Sequence, residues 1–250
     1  LGVRALVWRV EHFGEIDSTN TYVVERVRTD DPPEGLVAVA DYQSAGRGRL
    51  DRRWESPPGT ALLCSLLLRP DLAPESLQLV VAVVALSVRA ALVRLTGLRA
   101  DLKWPNDLIV GDRKLAGLLA EIVESDGALA VIVGLGVNLT DAGPPDAGAT
   151  SVRRETGLTV APRALLDIVL EEVETRRDGL DSDEGRRALH QEYEAALATL
   201  GQTVRVTSPG EIVVGRATGV DASGRLLVEV DGASRVFDVG DVVRVRRDEA

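Results

Sequence analysis

Methionine is absent from this 250-residue chain, cysteine and lysine occur once and twice, histidine twice, and aromatic side chains make up only 3%. Each scarcity excludes something. A single thiol, Cys64, cannot form an intramolecular disulfide, and its place in the apolar run 60–68 makes it a small core residue of a protein in a reducing cytoplasm. His12 and His190 are far apart and no Cys/His cluster exists, which excludes a structural zinc site. With few rings available, the 45% of hydrophobic residues must build a core mostly of Val, Leu and Ala. Without methionine, Leu1 is not an ordinary initiator.

Positive charge is also short. A formal net charge of -10 argues against a general nucleic-acid partner, because such binding draws on clustered cations that release counterions. Any basic site must be local. Residues 77–95 are apolar over a length that could cross a membrane, but Gln78, Ser87, Arg89 and Arg94 interrupt them, so a buried helix is expected and no membrane partner. Arg4, Arg9 and Glu11 break the first apolar run, which gives no signal peptide there.

The two lysines, Lys103 and Lys114, fall in one stretch, residues 101–121, while the other 27 basic residues are arginine. A lysine ammonium is a compact point charge on a long stem, suited to a crowded phosphate or carboxylate, whereas arginine presents a planar fork. Chance survival of two lysines in an arginine-biased chain is the alternative. Trp104-Pro105-Asn106-Asp107 reads as a turn after a short strand, since proline cannot continue a helix or a central strand. Strands over 108–110 and 114–124 then follow around Gly111-Asp112, placing Lys103 and Lys114 on neighbouring strands that face one pocket. Gly117 inside the second strand marks a close approach by a ligand or another backbone. Asn106 and Asp107 could equally satisfy the turn through their own backbone.

In chain order, residues 1–10 read as a strand, and Asp17 or Ser18 caps a helix whose face is Tyr22, Val23, Val24 and Val27. Residues 36–42 read as a buried strand. The loop after it carries Arg47, Arg49, Arg52 and Arg53, the densest positive charge in the chain, with Gly46 and Gly48 beside them. That composition suits a flexible loop over an anionic ligand, or simply a solvated basic loop. Neither a Walker loop nor a dinucleotide fingerprint is present. A strand over 60–68, a helix over 74–95 ending at Gly97, and an apolar strand over 128–139 with Gly134, Gly136 and Asn138 follow. Residues 141–148 are loop-like, and 162–176 and 184–200 read as helices. From residue 201, short strands broken at 208–210, 221–224, 231–232 and 239–240 indicate a small barrel. The domain division expected is 1–200 and 201–250.

Five motifs in register, Asp17-Ser18-Thr19-Asn20, Gln43 with Gly46-Arg47-Gly48-Arg49, Lys103-Trp104-Pro105-Asn106-Asp107, Lys114-Leu115-Ala116-Gly117 and Gly134-Leu135-Gly136-Val137-Asn138, closely resemble biotin protein ligases over nearly the whole chain. The resemblance implies an α+β fold: a mixed sheet with flanking helices of the class II aminoacyl-tRNA synthetase type, then an SH3-like small β-barrel. It implies an enzyme that uses ATP and Mg2+ to make biotinyl-AMP and passes biotin to a lysine of a biotin carboxyl carrier domain of acyl-CoA carboxylases. A homodimer is an open assembly.

By that resemblance Lys114 touches both the biotin carboxylate and the phosphate and is catalytic together with Arg49. Ser18, Thr19, Asn20 and Gln43 hold the ureido end, with Arg47 and Gly48 closing over the intermediate and Gly117, Gly134 and Gly136 leaving room for the rings. Arg47, Arg49, Arg52, Trp54, Lys103, Asn106, Lys114 and Asn138 serve the nucleotide, and Asp107 the magnesium. One departure stands out: many relatives read Gly-Arg-Gly-Arg-x-Gly-Arg, whereas Asp51 here replaces the last glycine and is expected to pair with Arg52 or Arg53. Only seventeen residues precede Ser18, so no repressor function is expected. A lipoate or octanoate ligase is the nearest enzyme alternative, and a non-catalytic binding module the alternative of a different class.

Overall fold

A computed structural model describes residues 6–125, 127–143, 148–208, 210–238 and 240–245. The apolar runs of the first 140 residues pair into one sheet. Its strands are β1 (Arg9–Ile16), β2 (Leu36–Gln43), β3 (Ala61–Leu68), β4 (Asp101–Lys103), β5 (Asp107–Val110), β6 (Arg113–Ser125) and β7 (Ala128–Asn138), in spatial order β1-β2-β3-β7-β6-β5-β4. Only β1 and β2 run parallel, so the sheet is mixed.

Both faces of its centre are covered, which is why β3 is buried at every position and shows no polar alternation. Side chains of β2 divide by parity: Leu36 and Ala38 pack under helix α1 (Thr19–Asp30) with Val23, Val24 and Val27, while Val37 and Val39 face the main core. That core holds helix α2 (Gln78–Thr96), which Gly97 ends in the left-handed region at φ +73°. Long and apolar enough to cross a membrane, α2 instead has 72% of its apolar window buried in this protein. A short helix α3 (Val152–Thr156) precedes α4 (Pro162–Gly179) and α5 (Asp183–Ala196), which pack over α2.

The remaining strands, β8 (Thr203–Ser208), β9 (Glu211–Val220), β10 (Leu226–Val230), β11 (Ala233–Phe237) and β12 (Asp241–Arg244), form a second, antiparallel sheet in the order β11-β10-β9-β8-β12. Its inner residues belong to the same apolar cluster as α2. Trp104 joins the two sheets: its Nε1 donates to Gly224 O at 3.1 Å and its backbone N–H to Thr199 Oγ1 at 3.0 Å.

Several expectations move. The first strand lies at Arg9–Ile16, not over 1–10, because pairing with β2 begins at Arg9; residues 1–5 are outside the described chain. The helix expected from residue 74 opens as a single 3-10 turn, Pro74–Ser76, before α2. Helix α3 was not anticipated. Its five residues are too few for an apolar stripe to register. The turns at 208–210 and 239–240 each contain an undescribed residue, 209 or 239.

Candidate functional site

One end of the sheet opens into a cavity of about 140 Å3 bounded by the start of α1, the 46–54 loop, the 103–107 turn, β6, β7 and the first residues of β12. Its floor follows from the helix start. Ser18 is extended (φ −156°, ψ 129°) and its Oγ accepts the Thr21 N–H at 3.4 Å, so Ser18 is the N-cap that the sequence offered as one of two choices. Ser18, Thr19 and Asn20 are each 3% exposed, and so are held among protein atoms.

Hydrogen bookkeeping fixes what this floor lacks. Gln43 Oε1 accepts the Thr19 backbone N–H at 2.8 Å, and Asn20 Nδ2 donates to Leu119 O at 3.1 Å and Glu121 Oε2 at 2.8 Å. Both amides are thereby oriented with an oxygen toward the hydroxyls between them. Those hydroxyls make three contacts: Thr19 Oγ1 to Gln43 Oε1 at 3.0 Å, Ser65 Oγ to Thr19 Oγ1 at 2.7 Å, and Ser65 Oγ to Asn20 Oδ1 at 2.6 Å. Two hydroxyl hydrogens cannot serve three contacts that end on acceptors at both sides. One contact of the floor therefore carries no hydrogen, and a donor that takes the second lone pair of Gln43 Oε1 lets the Thr19 hydroxyl turn to Ser65 and leaves the Ser65 hydrogen for Asn20 Oδ1. Ser65 is fully buried and was not anticipated, because a serine in an apolar strand carries no sequence signal.

The opposite wall carries the lysines. Lys114 Nζ lies 2.7 Å from Asp107 Oδ1 and 5.7 Å from the centre of the Trp54 ring. Lys103 and Lys114 both line the cavity. They are not on neighbouring strands, however: β5 runs between β4 and β6, since the turn after Lys103 feeds β5 first. Asn106 does not close its own turn. Its Nδ2 donates to Leu118 O at 2.5 Å and its Oδ1 accepts from Arg49 Nη1 at 3.1 Å.

The arginine loop is a hairpin rather than a slack loop. Trp54 N–H donates to Gly46 O at 3.0 Å, Gly48 N–H to Arg52 O at 2.7 Å and Arg52 N–H to Arg49 O at 3.2 Å. Leu50 and Asp51 form its tip with φ of +55° and +57°, the conformation of a type I′ turn that side chains with a Cβ adopt at a cost. Three of its arginines have internal partners: Arg47 Nη1 reaches both Glu121 oxygens at 3.0 and 3.1 Å, Arg49 reaches Asn106, and Arg52 Nη2 reaches Asp241 Oδ2 at 2.6 Å. The expected pairing with Asp51 does not occur; the tip geometry turns Asp51 to solvent while Arg52 faces the second sheet. Burial lowers the Arg49 pKa, against the opposing pull of Asp107 and Asp241. Burial likewise raises the Cys64 thiol at the cavity floor to about 12, which leaves it protonated and inert.

The glycines of β6 and β7 make room, but for side chains of this chain. A Cβ on Gly134 would stand 2.3 Å from Asn20 Oδ1, one on Gly136 2.5 Å from the Trp54 ring, and one on Gly117 2.9 Å from Lys114 Nζ. Trp54 therefore leans on Gly136, beside Lys114.

Of the residues to which the resemblance gives a role, all but one border this cavity. Asn138 instead is 7% exposed and donates to Thr150 O at 3.0 Å, beyond the cavity wall. Sequence reasoning missed Glu121, Asp241 and Val242. The last two come from the second sheet, and no local pattern announces that contact. Among the described residues no group of three His, Cys, Asp or Glu side chains is arranged to hold a metal. The carboxylate of Asp107 already faces Lys114, so the donor set does not fit a resident divalent ion.

The cavity thus gathers an ammonium, a tryptophan and an arginine hairpin at one end of a mixed sheet, a locally basic pocket that suits an anionic ligand. The chain matches the biotin/lipoate A/B protein ligase family over residues 13–138 and the biotin protein ligase C-terminal domain over residues 199–245. It is 33% identical over 247 residues to the biotin--[acetyl-CoA-carboxylase] ligase of Mycobacterium tuberculosis, covering 96% of this chain and 90% of that one. It is 29% identical over 234 residues to the bifunctional ligase/repressor BirA of Bacillus subtilis, covering 90% of this chain and 71% of the relative. Among solved structures, the Aquifex aeolicus biotin protein ligase in complex with biotin and ATP superposes with a TM-score of 0.80 at 28% identity, over 94% of this chain and 99% of that one. The chain belongs to the biotin protein ligase family and is a ligase with its α+β fold and SH3-like C-terminal unit.

Proposed function

We propose that this enzyme joins biotin to AMP at the expense of ATP and then transfers biotin to a lysine of a carboxylase's biotin carboxyl carrier domain. The observation that carries the choice of biotin is the buried floor of amide and hydroxyl groups: a cyclic urea brings N–H and C=O groups that can bond to it, whereas the dithiolane of lipoate brings none and would leave those groups facing an apolar ring. The net charge of -10 supports a ligase without nucleic-acid binding.

In this reading the ureido end lies on Ser18, Thr19, Asn20 and Gln43, and the carboxylate points to Lys114. A carboxylate oxygen attacks the α-phosphorus, the bond to the β-phosphate breaks, and pyrophosphate leaves with the electron pair. Both partners are anions, so fixed cations are the main contribution. Lys114 exchanges Asp107 for the reacting oxygens, while Arg49 and Arg47 close over biotinyl-AMP. Lys103, Asn106, Arg52 and Trp54 face the nucleotide, and Gly48 lets the backbone come close. The acceptor amine then attacks the acyl carbon and AMP leaves. Magnesium, when bound, would supply positive charge at the nucleotide phosphates, with Asp107 engaged by Lys114. Asn138 serves by fixing the 150 segment behind Lys114, whose backbone bonds to Gly148 O and from Thr150 N–H hold the start of β6. The division at residues 1–200 and 201–250 belongs to the same reading, supported by the change from α5 to short strands.

The test is transfer of biotin to a purified carrier domain with ATP present, with pyrophosphate release followed in parallel. Release that depends on biotin and not on lipoate is expected. Release with lipoate alone, or none with either, would sink the reading. Arg49→Gly is expected to let biotinyl-AMP escape. Loss of a charged contact worth about 1.5–3 kcal/mol corresponds to roughly ten- to a hundredfold faster release. Labelling of an added bystander protein no greater than with the parent enzyme would count against that role.

A further inference from the structure

Glu121 stands halfway along β6, where its carboxylate meets the cavity floor on one side and the arginine hairpin on the other. Asn20 Nδ2 donates to Oε2 at 2.8 Å, while Arg47 Nη1 reaches both oxygens. Asn20 continues through Ser65 and Thr19 to Gln43. The hairpin's other arm is tied separately, by Arg52 to Asp241 of β12, and that tie has no bond to the floor.

We propose that Glu121 is a positioning residue that holds the hairpin over the cavity and reports the state of the floor to it. The proposal rests on the biotin reading only for its second half. An N–H on Gln43 Oε1 frees the Thr19 hydroxyl to donate to Ser65 and the Ser65 hydroxyl to donate to Asn20 Oδ1. A hydrogen-bond chain that runs in one direction polarises each member in turn, so the Asn20 N–H is drawn more firmly to Glu121. Glu121 is then held where Arg47 finds it.

Glu121→Gln separates the two contacts, because a glutamine oxygen still accepts from Asn20 whereas its amide offers Arg47 no charge. Asp241→Asn is the comparison, since it unties the hairpin without touching the floor. The hairpin supplies its own probe: trypsin cuts after arginine, and the cuts after Arg49, Arg52 and Arg53 in the full chain can be timed by mass spectrometry with and without biotin. A half-exposed ion pair shifts the opening equilibrium by roughly two- to fivefold, so both variants are expected to cut two to five times faster than the parent without ligand. Their melting temperatures should stay near that of the parent. Biotin is expected to slow cutting by the same factor in Asp241→Asn as in the parent, and by less than half that factor in Glu121→Gln.

Glu121→Gln cutting at the parental rate without ligand overturns the tether. Equal biotin responses in the two variants overturn the coupling. Arg47→Gln, read at the same cuts, tests the tether from the other side and stands in if Glu121→Gln melts early. A parent that neither binds biotin by calorimetry nor responds to it sinks the biotin reading, while faster ligand-free cutting of Glu121→Gln still upholds the tether.

Discussion

Lys114→Arg is expected to lower biotin-dependent ATP–pyrophosphate exchange by on the order of 10²–10³-fold, about 2.7–4 kcal/mol, the usual loss when one fixed donor to a developing charge is removed. Charge is conserved in this substitution, so the loss must come from shape. Lys114 Nζ sits 2.7 Å from Asp107 Oδ1 and 5.7 Å from the Trp54 ring centre, and a single methyl on Gly117 would come within 2.9 Å of it. A planar guanidinium is wider than an ammonium, and placing it between Asp107 and Trp54 pushes against the ring that rests on Gly136. Exchange within tenfold of the parent would show that the reacting anions do not meet at Lys114.

Gly134→Ala should be nearly as damaging, through binding rather than charge. The new Cβ would lie 2.3 Å from Asn20 Oδ1 and 2.9 Å from its Cγ. Asn20 has no free direction of retreat, because its amide hydrogens are committed to Leu119 O and Glu121. Overpacking costs about 1–3 kcal/mol and a broken buried hydrogen bond a similar amount, so biotin affinity is expected to fall by about 2–4 kcal/mol, roughly 30- to 1000-fold. Calorimetry reads this directly. Gly14→Ala is the control, since nothing lies within 4 Å of the added carbon and it should bind biotin like the parent. A Gly134→Ala protein with biotin affinity within threefold of the parent would mean that the floor is not where biotin's head lies.

Much of the fold was readable because its signals are local. The buried strands appear as unbroken apolar runs, and Gly97 ends α2 where a left-handed residue is needed. The strand misplaced toward the chain start illustrates the limit. Edge strand β1 carries Glu11 and Glu15 on one face and His12 on the other, so neither face reads as an apolar stripe, and only pairing with β2 locates it. The candidate site was legible as a set of residue types in order, the resemblance supplying the roles and the lysine count supplying an independent pointer to Lys103 and Lys114. Asn138 was grouped with that set by its motif although its side chain turns away to Thr150.

The order of residues alone determined most of the strand-and-helix succession, the scarcity of lysine and the motif positions that come to line the cavity, since these depend on neighbours a few places apart. Which partner each charged group takes was decided by folding. Arg47 and Glu121 are separated by 74 positions, Asn20 and Glu121 by 101, and Arg52 and Asp241 by 189. No local periodicity spans such intervals; only the stacking of strands and the seating of the second sheet against the hairpin bring those atoms within hydrogen-bond reach.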